Sequence, residues 1–125
     1  ITEEMDTDLF IGQMQEDVKR ALDAGIKKEQ IILDPGVGFA KTQEQNLMTI
    51  ANLDRLKALG YPVLLGTSRK SVIGYVLDVP TDKRLVGTLA TSAVAVQTGC
   101  MFVRVHDVKE NVELIQMLER IRESR

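Results

Sequence analysis

The sequence predicts an α/β fold of parallel strands, each followed by a helix, and within that class the C-terminal portion of an eightfold β/α (TIM) barrel. Three observations carry this expectation. Short apolar runs alternate with helical periodicity along the chain. No hairpin signal separates two successive runs, so crossover helices join strands that lie parallel in one sheet. The runs start at residues 31, 63 and 101, a repeat that suits a barrel whose eight units share ~250 residues. An open doubly wound sheet is the competing architecture. Three parallel strands cannot close and leave two edges unpaired, so residues 1–125 are expected to form part of a barrel domain, an incomplete one.

The elements follow in order. Residues 3–24 form a helix, with Phe10, Met14, Val18, Ala21 and Leu22 at helical spacing and Gly25 placed for a left-handed cap. Ile31-Ile32-Leu33 is a strand buried on both faces, ended by Asp34-Pro35-Gly36. Thr42 and Gln45 make a capping box that opens a second helix, with Leu47, Ile50, Ala51 and Ala58 on its apolar face and Gly60 stopping it. Val63-Leu64-Leu65 is the second buried strand. A short helical piece over 71–77 ends before Pro80, and Thr81 or Asp82 caps a long helix that runs to Thr98 and closes at Gly99. Met101–Val105 is the third strand. Asp107 and Glu110 form a second capping pair, and a last helix carries Val108, Val112, Ile115 and Leu118.

Composition excludes several classes of function. At 44% hydrophobic and 27% charged residues, the 125-residue chain has enough apolar material to fold as one unit. Its net charge of −2 leaves no electrostatic footprint for nucleic acid. A single cysteine, Cys100, and a single histidine, His106, cannot make a disulfide framework or a structural zinc site. The acidic start reads as no signal peptide, and the uncharged stretch 85–103 is too polar to cross a membrane. A cytoplasmic protein with no membrane partner is the expectation.

In parallel β/α folds, ligands sit at the C-terminal strand ends, and all three exits here are polar. The first is Asp34-Pro-Gly-Val-Gly-Phe-Ala-Lys41. An ionised carboxylate at Asp34 can accept two parallel N–H bonds from an amino-heterocycle; a turn that serves only its own backbone is an equal alternative. Phe39 is a stacking ring or a lid, with plain loop packing favoured on local grounds. The second exit, Gly66-Thr-Ser-Arg-Lys-Ser71, leads into a short helix whose N-terminus, with Arg69 and Lys70, suits an anion; the bland alternative is a solvated basic turn. The last two strands of such barrels recurrently hold phosphate. Arg104 and His106, two apart on the third strand, share one face of that mouth. Asp107 is the N-cap of the last helix, and Cys100 lies at the wrong end of its strand for chemistry.

On these residues the chain resembles the dihydropteroate synthase family. DPGVGFAK (34–41), GTSRKSVIG (66–74) and RVHDV (104–108) look like that family's loops after its sixth, seventh and eighth strands, in the same order and spacing. The resemblance covers nearly the whole chain but only the C-terminal half of the barrel. It implies condensation of p-aminobenzoate with hydroxymethyl-dihydropterin pyrophosphate, releasing pyrophosphate with Mg²⁺ present. Asp34 would hold the pterin N–H groups, Lys70 would hydrogen-bond the ring, and Arg104 would lie on its face and meet the pyrophosphate. His106 would bind pyrophosphate. Ser71 would receive the p-aminobenzoate carboxylate, in a pocket shaped by Phe39 and Arg69. The catalytic set implied is Lys70, Arg104 and Asp34, with no metal ligand in this chain, since the family's asparagine at the metal belongs to its N-terminal motifs. Val86 departs from the family, which commonly has an acid within the Arg84–Thr88 stretch. A homodimer through the last two helices is a further expectation. Two rivals remain: a methyl-tetrahydrofolate-dependent methyltransferase, and a non-catalytic fragment that assembles through open sheet edges.

Overall fold

The computed structural model describes residues 3–38 and 42–125. Helix α1 spans Glu3–Asp23, α2 Gln43–Ala51, α3 Leu53–Lys57, α4 Ser71–Leu77, α5 Leu85–Thr98 and α6 Val108–Glu123. Strands β1, Leu64–Leu65, and β2, Phe102–Val103, pair in parallel with Leu64 opposite Phe102 and Leu65 opposite Val103. The architecture is α/β and helix-rich, with a small parallel sheet.

The expected strand 31–33 is reduced to a single bridging residue. Leu33 pairs with Val63 in parallel, its N–H donating to Pro62 O (2.8 Å) and its carbonyl accepting from Leu64 N–H (2.9 Å). The segment therefore lies beside β1 without forming a ladder of its own. Burial of the strands on both faces also fails. Leu33, Val63 and Leu65 are buried against the helices, whereas Ile32 is 53% and Phe102 44% exposed. Side chains alternate across a sheet, and among the described residues helices cover only one face of it.

The core forms where that covered face meets the helices. Leu33, Val63 and Leu65 cluster with Ile50 of α2, Leu53 and Leu56 of α3, Val72 and Ile73 of α4, Ala95 of α5 and Ile11 of α1. Phe10, Met14 and Val18 of α1 pack against the cluster, in keeping with their helical spacing. Asp8 and Arg55 add an ion pair at 2.6 Å that ties α1 to α3.

Helix ends show where local signals compete. Thr42 and Gln45 make the expected capping box. The helix they open breaks at Asn52, whose side chain donates to Met48 O at 2.8 Å and so competes with the backbone ladder. Residues 81–83 form a separate 3-10 turn, and α5 starts at Leu85 with Arg84 at the cap position. Neither Thr81 nor Asp82 caps it. Asp107 does stand at the N-cap of α6 but makes no side-chain cap bond, because its carboxylate is engaged elsewhere. No described helix is long and apolar enough to cross a membrane.

Candidate active site

The three exits converge. Parallel strands put their C-terminal ends on one edge, and the loops 34–38 and 66–70 and residues 104–107 all leave from it. Asp34 divides its two oxygens between the two sequence readings. Oδ1 accepts from Gly36 N–H at 2.8 Å, the local turn, while Oδ2 lies 3.7 Å from Arg104 Nη1 across the sheet. Both side chains keep solvent contact, 43% and 59% exposed, so each has surface left for a ligand.

Arg104 reaches that position by lying across the end of β1. A Cβ placed on Gly66 would be 2.5 Å from Arg104 Nη2 and 2.9 Å from Cζ. Only a residue without a side chain leaves room there.

Lys70 crosses from the second loop to the first. Its ammonium donates to Val37 O at 2.5 Å, and its stem passes over Gly38, where a Cβ would meet Cδ at 3.4 Å. Burial pushes the Lys70 pKa below its ordinary value of 10.5, the nearby Arg104 charge pushes it the same way, and Asp34 partly opposes both. Carboxylate, ammonium and guanidinium thus face one small volume. Such a set can grip a flat heterocycle by its N–H edge and by its face, with an anion on the cationic side.

The second loop is fixed from several directions. Ser68 is buried, and its hydroxyl accepts from His106 N–H (3.0 Å) and meets His106 Nδ1 (2.8 Å). That contact holds the imidazole by Nδ1, and His106 as a whole is exposed. Arg69 adopts the left-handed conformation, φ 54°, which costs a non-glycine residue about 1–2 kcal/mol. Its N–H donates to Thr88 Oγ1 (3.1 Å), its carbonyl accepts from Arg84 Nη1 (3.0 Å), and its guanidinium makes a two-pronged pair with Asp107 at 2.8 and 3.2 Å. This pairing holds the Asp107 carboxyl below its ordinary range and raises Arg69. Arg69 is therefore a clamped residue, not the solvated turn of the bland reading, and Asp107 serves the loop instead of capping α6.

Ser71 opens α4, and its hydroxyl accepts from Gln43 Nε2 at 3.0 Å. Seven residues make α4 too short to build much of a dipole, so side chains supply the positive charge at this exit. Phe39 lies outside the described residues.

The sequence reading brought Asp34, Lys70, Ser71, Arg69, Arg104 and His106 to this edge, and the structure places all six there. It overlooked Asn46, Gln43, Ser68, Thr88 and Arg84. Asn46 is 1% exposed and accepts from Gly38 N–H at 2.9 Å. A polar residue one turn beyond the Thr42 cap, on the face shared with Ile50, was the available signal. No three His, Cys, Asp or Glu among the described residues could hold a metal ion; Asp34 faces Arg104, and Asp107 faces Arg69.

A family model described as "Pterin binding enzyme" matches residues 3–106. The chain is 52% identical over 113 residues to the dihydropteroate synthase of Clostridium beijerinckii, covering 90% of this chain and 42% of that protein. It is 49% identical over 110 residues to the dihydropteroate synthase of Bacillus subtilis, covering 88% and 39%. The dihydropteroate synthase of Coxiella burnetii solved in complex with pteroic acid superposes with a TM-score of 0.92 at 36% identity, over 100% of this chain and 46% of that one. The chain spans about two-fifths of the length of the curated relatives it matches. With the match running through all three loops that carry Asp34, Lys70 and Arg104, the chain belongs to the pterin-binding enzyme family.

Proposed function

We propose that this chain supplies the last three β/α units of a (β/α)8 barrel, and that the full-length polypeptide is a dihydropteroate synthase of the cytoplasm. It would condense p-aminobenzoate with hydroxymethyl-dihydropterin pyrophosphate. The observation that carries this reading is the meeting of Asp34, Lys70 and Arg104 on one strand edge, with Arg104 3.7 Å from Asp34 and Lys70 bridging the first two loops. The relatives' names and the pteroic acid complex supply the substrate class.

In this reaction the arylamine nitrogen attacks the methylene carbon, the C–O bond breaks, pyrophosphate leaves with the bonding pair, and the new ammonium nitrogen loses its extra proton to solvent. Asp34 holds the amino and ring N–H groups of the pterin, sharing Oδ2 with Arg104. Lys70 donates to the ring from a partly buried position, where an ammonium gains most from an acceptor. Arg104 lies on the ring face and, with His106, meets the departing pyrophosphate. Charge placed where negative charge develops lowers the barrier most. Ser71 receives the carboxylate of p-aminobenzoate, with Arg69 beside it. The work of these residues is orientation and charge stabilisation more than proton transfer.

The Mg²⁺ implied by the resemblance does not fit the described residues of this chain, whose two carboxylates at the mouth already face cations. A homodimer would pack on the last two helices, α5 and α6; on α6, Met117 and Ile121 are 63% and 55% exposed.

Assays of the full-length polypeptide for pyrophosphate release and for methyl transfer test the reading. Pteroate formation with stoichiometric pyrophosphate is expected. Methyl transfer without pyrophosphate would overturn it in favour of the other pterin-dependent chemistry.

A further inference from the structure

We infer that Gln43, aimed by the buried Asn46, is a positioning residue that sets the hydroxyl of Ser71 as a donor toward an aromatic carboxylate. The inference rests on the proposed function for the identity of the ligand, and it goes beyond that reading by naming what orients the Ser71 hydroxyl.

The polarity of the relay is set by a backbone group. A backbone N–H can only donate, and Gly38 N–H points at the Asn46 side chain at 2.9 Å. Asn46 must therefore turn its oxygen to Gly38 and its NH₂ the other way. That NH₂ donates to Gln43 Oε1 at 3.1 Å. With its oxygen so used, Gln43 presents its own NH₂ to Ser71 Oγ at 3.0 Å. Ser71 then accepts from Gln43, and its single proton is left to point away from the relay. Three side chains pass on the direction fixed at Gly38.

Asn46 is 1% exposed, so the relay is anchored in the core and cannot reorient freely. It also links the loop carrying Asp34 to the helix carrying Ser71, two exits that are not adjacent in sequence. An outward hydroxyl proton suits a carboxylate, which accepts and never donates. Were Gln43 turned the other way, Ser71 would spend its proton on Gln43 and offer lone pairs to the anion.

The test uses the full-length polypeptide with p-aminobenzoate and with its neutral isostere, p-aminobenzamide. Gln43→Glu replaces the donor with a second acceptor and draws the Ser71 proton inward. The ratio of kcat/KM for the acid over the amide is expected to fall at least about tenfold, as for loss of a hydrogen bond to a charged group. In the Ser71→Ala background the same substitution should change that ratio by less than about threefold, because the group it acts through is gone. Gln43→Met, which neither donates nor carries charge, guards against a fold defect in the glutamate variant and should lower the ratio by a smaller factor. An unchanged ratio in Gln43→Glu and Gln43→Met, with normal pteroate formation by the parent, overturns the inference alone. A full penalty persisting in the Ser71→Ala background means the new charge acts through space, and also overturns it. Failure of the unaltered protein to condense p-aminobenzoate sinks the proposed function and this inference with it.

Discussion

Replacing Gly66 with alanine should separate stability from binding. The added methyl would sit 2.5 Å from Arg104 Nη2, and ordinary contact begins at 3.4 Å, so the guanidinium must retreat by at least 0.9 Å. It is the far end of a flexible side chain and is 59% exposed, so it can move without disturbing the core. The backbone of Gly66 is not left-handed, and Gly→Ala at such a site stabilises by about 0.4–1 kcal/mol through the unfolded chain. Arg104, however, would leave the place from which it reaches Asp34 and the ligand, and a misplacement of about 1 Å at a reacting centre costs about 100-fold. Thermal unfolding of the Gly66→Ala protein should thus match or slightly exceed that of the parent. Its affinity for pterin pyrophosphate by calorimetry, and its kcat/KM, should drop by about two orders of magnitude. Parental affinity in a folded Gly66→Ala protein would show that the guanidinium does not need the space above residue 66, and the geometry drawn here for Arg104 would be refuted.

Other changes probe the remaining parts. Lys70→Ala in the full-length polypeptide should abolish most pteroate formation, and near-normal turnover would remove Lys70 from the site. Asn111, 1% exposed, accepts from Ser92 Oγ at 2.6 Å and donates to Asp107 O at 2.8 Å; Asn111→Ala should cost about 1–3 kcal/mol in urea unfolding, and a loss under ~0.5 kcal/mol would contradict a structural role for that network. Asp34→Asn removes a charge that holds the Lys70 pKa up against burial and Arg104, so the Lys70 ammonium should titrate lower still, followed by nitrogen NMR of the side chain. The sign for stability follows from the same shift. Between the lowered folded value and 10.5 the unfolded chain binds the Lys70 proton more readily, so stability rises with pH in that window. Asp34→Asn should extend the window to lower pH, and an unmoved Lys70 titration would mean that the two groups do not share a field.

How much was legible in the sequence depended on how local the cause was. The capping box at Thr42 and Gln45, the stop at Gly99 and the polar strand exits are set by neighbours within a few residues, and the structure has each of them. The strand at 31–33 was overdrawn because a short apolar run led by two isoleucines states a preference, whereas a ladder needs a partner along its whole length. The role of Asp107 was misread for the opposite reason. Its place before α6 is a local signal, but Arg69, 38 residues away, competes for the carboxylate and wins it with two bonds. Asn46, Ser68 and Thr88 were missed because each acts on a backbone N–H in a different segment, a relation no periodicity records.

One consequence of the single Leu33–Val63 bridge concerns the ligand itself. Among the described residues, the segment carrying Asp34 is joined to the second strand segment by two backbone hydrogen bonds, to Pro62 and from Leu64, whereas Arg104 follows a paired strand. The carboxylate thus hangs from the loosest seam of the sheet, and the guanidinium stands on a firmer one. A guest that touches both becomes a suture across that seam, tightening the host by the act of being held.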